Sequence, residues 1–150
     1  DESSVGIIEV APPAIIAERL LPPPEEAMPV VEIQALVRER PDLPALLDGV
    51  ARATAEALGA DLRSCWVVFH EIAPGTYLEG GRVRDREDAL EVSPLVTVRA
   101  YRGRTLEQKA KLLPAVAGAV GAALGLDPAL VFVEYREIPE GHVFTGGQVR

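Results

Sequence analysis

Apolar positions in this chain fall into two rhythms that alternate. Short runs rich in β-branched residues, Val30–Val37, Cys65–Phe69, Pro94–Tyr101 and Val131–Tyr135, have the length and composition of buried strands. Between the first two runs, Leu43, Leu46, Leu47, Val50, Thr54, Ala57 and Leu58 recur at helical spacing. Asp42 is placed to cap that helix, Pro44 is tolerated in its first turn, and Gly59 ends it. Between the last two runs, Leu106, Leu113, Val116, Val120 and Leu124 mark a second helix. Thr105 and Gln108 form a capping box at its start, and Pro114 is expected to kink it. The segments His70–Gly81 and His142–Gly147 are turn-rich and end in glycine pairs, and Arg82–Asp88 reads as a solvated connector.

The two halves are copies. His70–Arg84 set against Arg136–Arg150, at an offset of 66, gives seven identities in 15 positions. Leu58-Gly59 matches Leu124-Gly125 at the same offset, and one residue less pairs Pro29 with Pro94. The chain is therefore a tandem β-α-β duplication: residues 29–81 are the first module, 82–93 a connector and 94–150 the second. The fold class is α/β (α+β), a four-stranded mixed sheet with two helices on one face. The strands read as apolar on both sides, so the opposite face needs covering, which oligomerisation would supply.

Residues 1–28 differ from the rest. Pro12-Pro13 and Pro22-Pro23-Pro24 exclude a continuous helix or central strand. Val5–Val10 and Ala14–Leu21 are candidates for an edge strand and a short helix. Six acids against Arg19 alone give this segment −5 of the net −8, and its apolar content suggests that part of it packs on a surface. An acidic chain without basic clusters is a poor partner for nucleic acid, though a local pair of arginines can still dominate one pocket. No run of 18 apolar residues suggests a membrane span. Cys65 is the single cysteine, which makes a reducing cytoplasm the expected compartment. With His70 and His142 the only histidines, no zinc spacing exists, and the Gly-Gly pairs fit no phosphate-binding loop.

Pro94-Leu-Val-Thr-Val-Arg-Ala-Tyr-Arg-Gly-Arg-Thr-Leu-Glu-Gln-Lys109 resembles the opening of 4-oxalocrotonate tautomerase, as do Arg136-Glu-Ile-Pro-Glu-Gly141 and Gly146-Gly147. The resemblance spans both modules. It implies the tautomerase superfamily in its fused two-module form, similar to malonate semialdehyde decarboxylase and cis-3-chloroacrylic acid dehalogenase, and typically a homotrimer. It also implies a cofactor-independent reaction on a small enol or α-keto carboxylate. In that chemistry an N-terminal prolyl amine moves a proton between oxygen and carbon, while arginines hold the carboxylate.

On this resemblance Pro29 fills the catalytic proline position of the first module. Pro94 fills it in the second, but its nitrogen is always an amide. Arg104 matches the family's loop arginine and Arg102 makes an Arg-x-Arg pair with it. Tyr77 takes the aromatic position of the first glycine-ended loop, and Glu137 that of a water-activating carboxylate. Arg38 flanks Glu39, which stands where the first module's arginine would be. The second-strand arginine is replaced by Trp66 and Phe132, and the dehalogenase histidine maps to Ala55, against dehalogenase or hydratase activity. The expected set is thus Pro29, Arg102 and Arg104 as catalytic residues, with Tyr77, Arg38 and Glu137 contacting substrate. Because Pro29 is basic only as a free N-terminus, three readings follow. One is an isomerase whose chain starts at Pro29 once Met28 is removed. The second is a non-catalytic assembly or binding protein with the proline blocked by residues 1–28. The third is an enzyme in which another acid, such as Glu137, does the work.

Overall fold

The computed structural model describes residues 28–150, so the elements expected in Val5–Val10 and Ala14–Leu21 lie outside the described residues. The first module runs β1 (Val30–Ala35), α1 (Leu43–Leu58) and β2 (Trp66–Glu71). A hairpin follows, β3 (Leu78–Glu79) with β4 (Arg82–Val83). The second module repeats this as β5 (Leu95–Tyr101), α2 (Leu106–Leu124), β6 (Phe132–Ile138) and the hairpin of β7 (Phe144–Thr145) with β8 (Gln148–Val149). One four-stranded sheet has the order β2-β1-β5-β6. Strands are parallel within each module and antiparallel where β1 meets β5.

Capping chemistry sets the helix ends. The Asp42 carboxylate accepts from Ala45 N–H at 3.2 Å. Thr105 Oγ1 accepts from Gln108 N–H at 3.0 Å while Gln108 Oε1 accepts from Thr105 N–H at 2.8 Å. Each device satisfies backbone donors that a helix start leaves orphaned. Gly59 and Gly125 end the helices with φ of 66° and 74°, the left-handed region that a side chain resists. Pro114 is accommodated within the continuous run of α2.

Period-two alternation decides which side of the sheet is covered. Val31 and Ile33 of β1 and Val96 and Val98 of β5 face the helices and meet Leu46, Val50, Leu112, Val116 and Val120 in one core. Each such side chain contributes about 1.5–3 kcal/mol by leaving water. The other face is not apolar throughout, which corrects the expectation drawn from the strand composition. Trp66, Val68 and Phe132 are exposed along its edges. Between them Arg99 donates to Glu32 at 3.2 Å, and His70 lies 3.5 Å from the same carboxylate. The short sequence alternation was masked because valine stands on both sides of β2, where Val67 faces the core and Val68 the open side.

The glycine-ended loops are also more ordered than the sequence suggests. Gly80-Gly81 and Gly146-Gly147 all take positive φ, as a two-residue hairpin turn with matching twist requires. The first hairpin therefore extends through Val83, and the connecting segment starts after it. Arg82–Asp88 is solvated as its charge pattern implied, and only beyond it are Ala89 and Val92 buried against Leu36, Ile72 and Tyr77.

Candidate active site at the arginine end of the sheet

Antiparallel pairing of β1 with β5 brings each module's leading proline to the other module's strand end. The ladder pairs Val30 with Arg99. One step further places Pro29 level with Ala100, directly before the Tyr101–Arg104 turn. Pro94 is level with Ala35 at the opposite end, before Leu36–Arg40. The two ends are related further: Trp66 N–H donates to Pro29 C=O at 3.0 Å, and Phe132 N–H donates to Pro94 C=O at 3.0 Å. Both prolines are buried on the helix-facing side.

At the Pro29 end a cleft of about 460 Å³ is lined by Tyr101, Arg102, Arg104, Ile138, Glu140, Gln148, Val149 and Arg150. Arg102 is exposed and lies 3.7 Å from the Glu140 carboxylate. Arg104 is only partly exposed, and its buried Nε has no hydrogen-bond partner among the described residues. A buried guanidinium donor left unmade is costly, so an acceptor brought to this cleft would be well received. Glu137 pairs with Ala100 in the β5–β6 ladder and so shares the row that Pro29 extends. Its carboxylate lies 3.7 Å from Lys109 Nζ. Lys109 also sits 4.9 Å above the Tyr135 ring. Burial pushes the Tyr135 phenol up; Arg104 acts against that shift and Glu137 adds to it. Arg104, Lys109, Tyr135 and Glu137 thus form a connected group beside the cleft. On the other flank, burial, reinforced by the Asp61 charge, pushes the Cys65 thiol up to about 11, so it is protonated and a poor nucleophile near neutral pH.

The structure separates the residues that sequence reasoning had grouped. Pro29, Arg102, Arg104 and Glu137 share one end. Tyr77 and Arg38 belong to the other, at the Pro94 end. The single Tyr77 Oη proton is shared between two acceptors, Glu79 Oε1 at 2.8 Å and the Ser93 carbonyl at 3.0 Å, which ties the connector down just before Pro94. Burial and the Glu79 carboxylate push its phenol up to about 12. Within one chain Tyr77 is therefore part of a structural lock, not a wall of the arginine cleft. Arg38 lines a different cavity with Glu39, Arg40 and the C-terminal turn of α2. The separation follows from the antiparallel join, which crosses each module's hairpin away from its own proline.

Tyr101, Glu140 and Arg150 are cleft residues that the first reading did not select. Arg150 had a signal, because it repeats Arg84 at the offset of 66. Tyr135 could have been placed by alternation with Val133, but nothing in the sequence joined it to Arg104. Among the described residues no three His, Cys, Asp or Glu side chains converge to hold a metal ion. No helix among them is long and apolar enough to cross a membrane.

Comparison with known proteins supports the family and the fold. A family model for tautomerase enzymes matches residues 94–150. A probable tautomerase of Lactococcus lactis subsp. lactis (strain IL1403) is 30% identical over 57 residues, which cover 38% of this chain and 93% of the relative. Among solved structures, a symmetric trimer of a wild-type fused 4-OT is 30% identical with a TM-score of 0.68, covering 78% of this chain and 91% of the other. A protein inactivated by 2-oxo-3-pentynoate is 25% identical with a TM-score of 0.71, covering 80% and 94%. A member of the cis-3-chloroacrylic acid dehalogenase family shares the fold at 22% identity and a TM-score of 0.64, covering 80% and 82%.

Proposed function

Since this chain belongs to the tautomerase superfamily, a superfamily of enzymes, we propose that it is a cofactor-independent isomerase of a small enol or α-keto carboxylate. The observation that supports this most is the β1–β5 register, which sets Pro29 at the foot of the loop carrying Arg102 and Arg104. In the active form Pro29 is the first residue, so its nitrogen is a secondary amine. Buried among cations, such an amine has its pKa drawn below the ordinary ~8, and the neutral form is available near neutral pH. It takes the enol O–H proton and returns a proton to the adjacent carbon. Arg104, with Arg102 beside it, binds the carboxylate and stabilises the charge that spreads through the enolate. Glu137 and Tyr135 hold the polar side of the site. The open sheet face, with Trp66 and Phe132 exposed, is covered in a homotrimer like those of the fused 4-OT structures.

A chain that begins at Pro29 contains the core of the described residues, from Val31 to Tyr135. The test is ketonisation of a simple enolpyruvate by that chain and by its Pro29→Ala variant. Turnover lost by at least about 100-fold in the variant, with an unchanged unfolding curve, is the expected result. Equal turnover by the two chains would eliminate the prolyl base. The second reading, a non-catalytic protein, is favoured by one feature of the chain as written: Met28 makes the Pro29 nitrogen an amide, which has no basic lone pair.

A further inference from the structure

Arg104 Nε and Tyr135 Oη are both buried without a hydrogen-bond partner among the described residues. They share one neighbourhood, because the Arg104 charge acts on the Tyr135 phenol, as does the Glu137 carboxylate. The Nε–H can only donate, whereas the phenol oxygen can also accept, and either group is costly to leave unmade in the interior. Arg104 also lines the arginine cleft. Its side chain is thus anchored in the interior at Nε and presents its terminal nitrogens beyond.

Tyr135 is held on several sides. With Val133 it packs against the core beneath α2. Period-two alternation puts Glu137 on the same side of β6. Lys109, in the first turns of α2, sits 4.9 Å above the Tyr135 ring and 3.7 Å from the Glu137 carboxylate. The ring is therefore fixed from above by a cation that a carboxylate holds in turn.

The duplication separates the packing of this ring from the use of its oxygen. At the offset of 66 Phe69 takes the place of Tyr135 and packs against the same core with no hydroxyl. At the offset of 65 that relates the prolines, exposed Glu39 takes the place of Arg104. Leu43 stands for Lys109. Glu71 repeats Glu137 but lies 3.5 Å from Arg86 of the connector. The phenol oxygen is present in the module that has the buried arginine and missing from the module that lacks it.

We infer that Tyr135 is the positioning residue for Arg104. One water takes the Arg104 Nε–H, bonds to the Tyr135 oxygen and donates to the Glu137 carboxylate, so that both terminal nitrogens of the guanidinium point into the cleft. Three partners are what a buried water ordinarily has. Because the guanidinium is planar, fixing Nε fixes the direction of the other two donors. A carboxylate in the cleft then meets them side by side. The link between Tyr135 and Arg104 stands on the structure; its use in holding a carboxylate rests on the function proposed above.

The test is the nitrogen-15 spectrum of the full chain, with the Arg104 Nε–H identified by its loss in Arg104→Lys. In the native chain that proton should exchange with solvent at least about tenfold more slowly than the Nε–H of exposed Arg102. Tyr135→Phe keeps the ring under Lys109 and should speed the exchange about tenfold. Val133→Ala loosens the same strand without touching the oxygen and should leave the rate within about twofold. Equal rates in the native chain and Tyr135→Phe overturn the inference. Equal acceleration by Val133→Ala also overturns it, because burial alone would then protect the proton. Should Tyr135→Phe not fold, the native chain decides: magnetisation transfer between the Arg104 Nε–H and a bound water is expected, and its absence overturns the bridge. Ketonisation of an enolpyruvate by the chain beginning at Pro29 separates the two proposals. A Tyr135-dependent Nε–H without turnover keeps the role of Tyr135 and refutes the isomerase, and turnover with an Nε–H indifferent to Tyr135 does the reverse.

Discussion

The Pro29 end and the Pro94 end of this sheet descend from one design, and what separates them is the use of their arginines. At the Pro94 end Arg82 lies 3.5 Å from Asp88, Arg86 lies 3.5 Å from Glu71, and Arg84 donates to the Glu79 carbonyl at 3.0 Å. Tyr77 and Glu79 fasten Ser93, and two buried side chains of the connector fill the space between. At the Pro29 end, among the described residues, Arg104 retains a buried donor with no partner, and Arg102 lies 3.7 Å from the exposed Glu140. The same backbone can hold cations as structure or keep them for a ligand.

This contrast is broken most directly by arginine substitution. In a chain beginning at Pro29, Arg104→Ala should lower kcat/KM for an enolpyruvate by about 100- to 1,000-fold, the range for removing one positioned donor to a developing oxyanion. Arg38→Ala at the other end should change it less than about twofold. Similar losses from both substitutions would mean that the ends act together, through contacts between subunits.

A smaller effect concerns the closed end alone. Tyr77→Phe removes the one phenolic O–H that Glu79 and the Ser93 carbonyl share, and should cost about 1–2 kcal/mol in urea unfolding, with turnover at the other end unchanged. The effect has a definite pH sign. Because the folded-state pKa is raised to about 12, the stabilisation is complete below the ordinary tyrosine value of ~10 and is lost as pH rises through about 12. Spectrophotometric titration near 295 nm should lose one late phenolate in the variant, while the raised step of Tyr135 remains.

The fold was legible because its two rhythms were long and repeated. Caps at Asp42 and Thr105, glycine ends at 59 and 125 and the two offsets all appear where the residues imply. The site was half legible. The Arg-x-Arg pair and Pro29 lie far apart in the sequence, and the two-module reading brings them together once β1 and β5 are antiparallel. The grouping of Tyr77 with them failed for the same topological reason: a hairpin follows its own strand pair, so it ends beside the other module's proline. The burial of Ala89 and Val92 was hidden because Asp85, Arg86, Glu87 and Asp88 precede them. The charged turn is solvated as read, and the apolar anchor after it is too short to show a period of its own.

The smallest prediction asks what closes the Pro94 end. Arg86 reaches the Glu71 carboxylate at 3.5 Å and the Val37 carbonyl at 3.4 Å, both long, with its side chain 52% exposed. Ion pairs of that kind contribute about 0.5 kcal/mol or less, because water and salt screen them and a long side chain loses freedom. Arg86→Ala should therefore shift the urea midpoint only slightly, and equally in low and high salt. A much larger loss that disappears at 1 M salt would show that charge, not the burial of Ala89 and Val92, seats the connector.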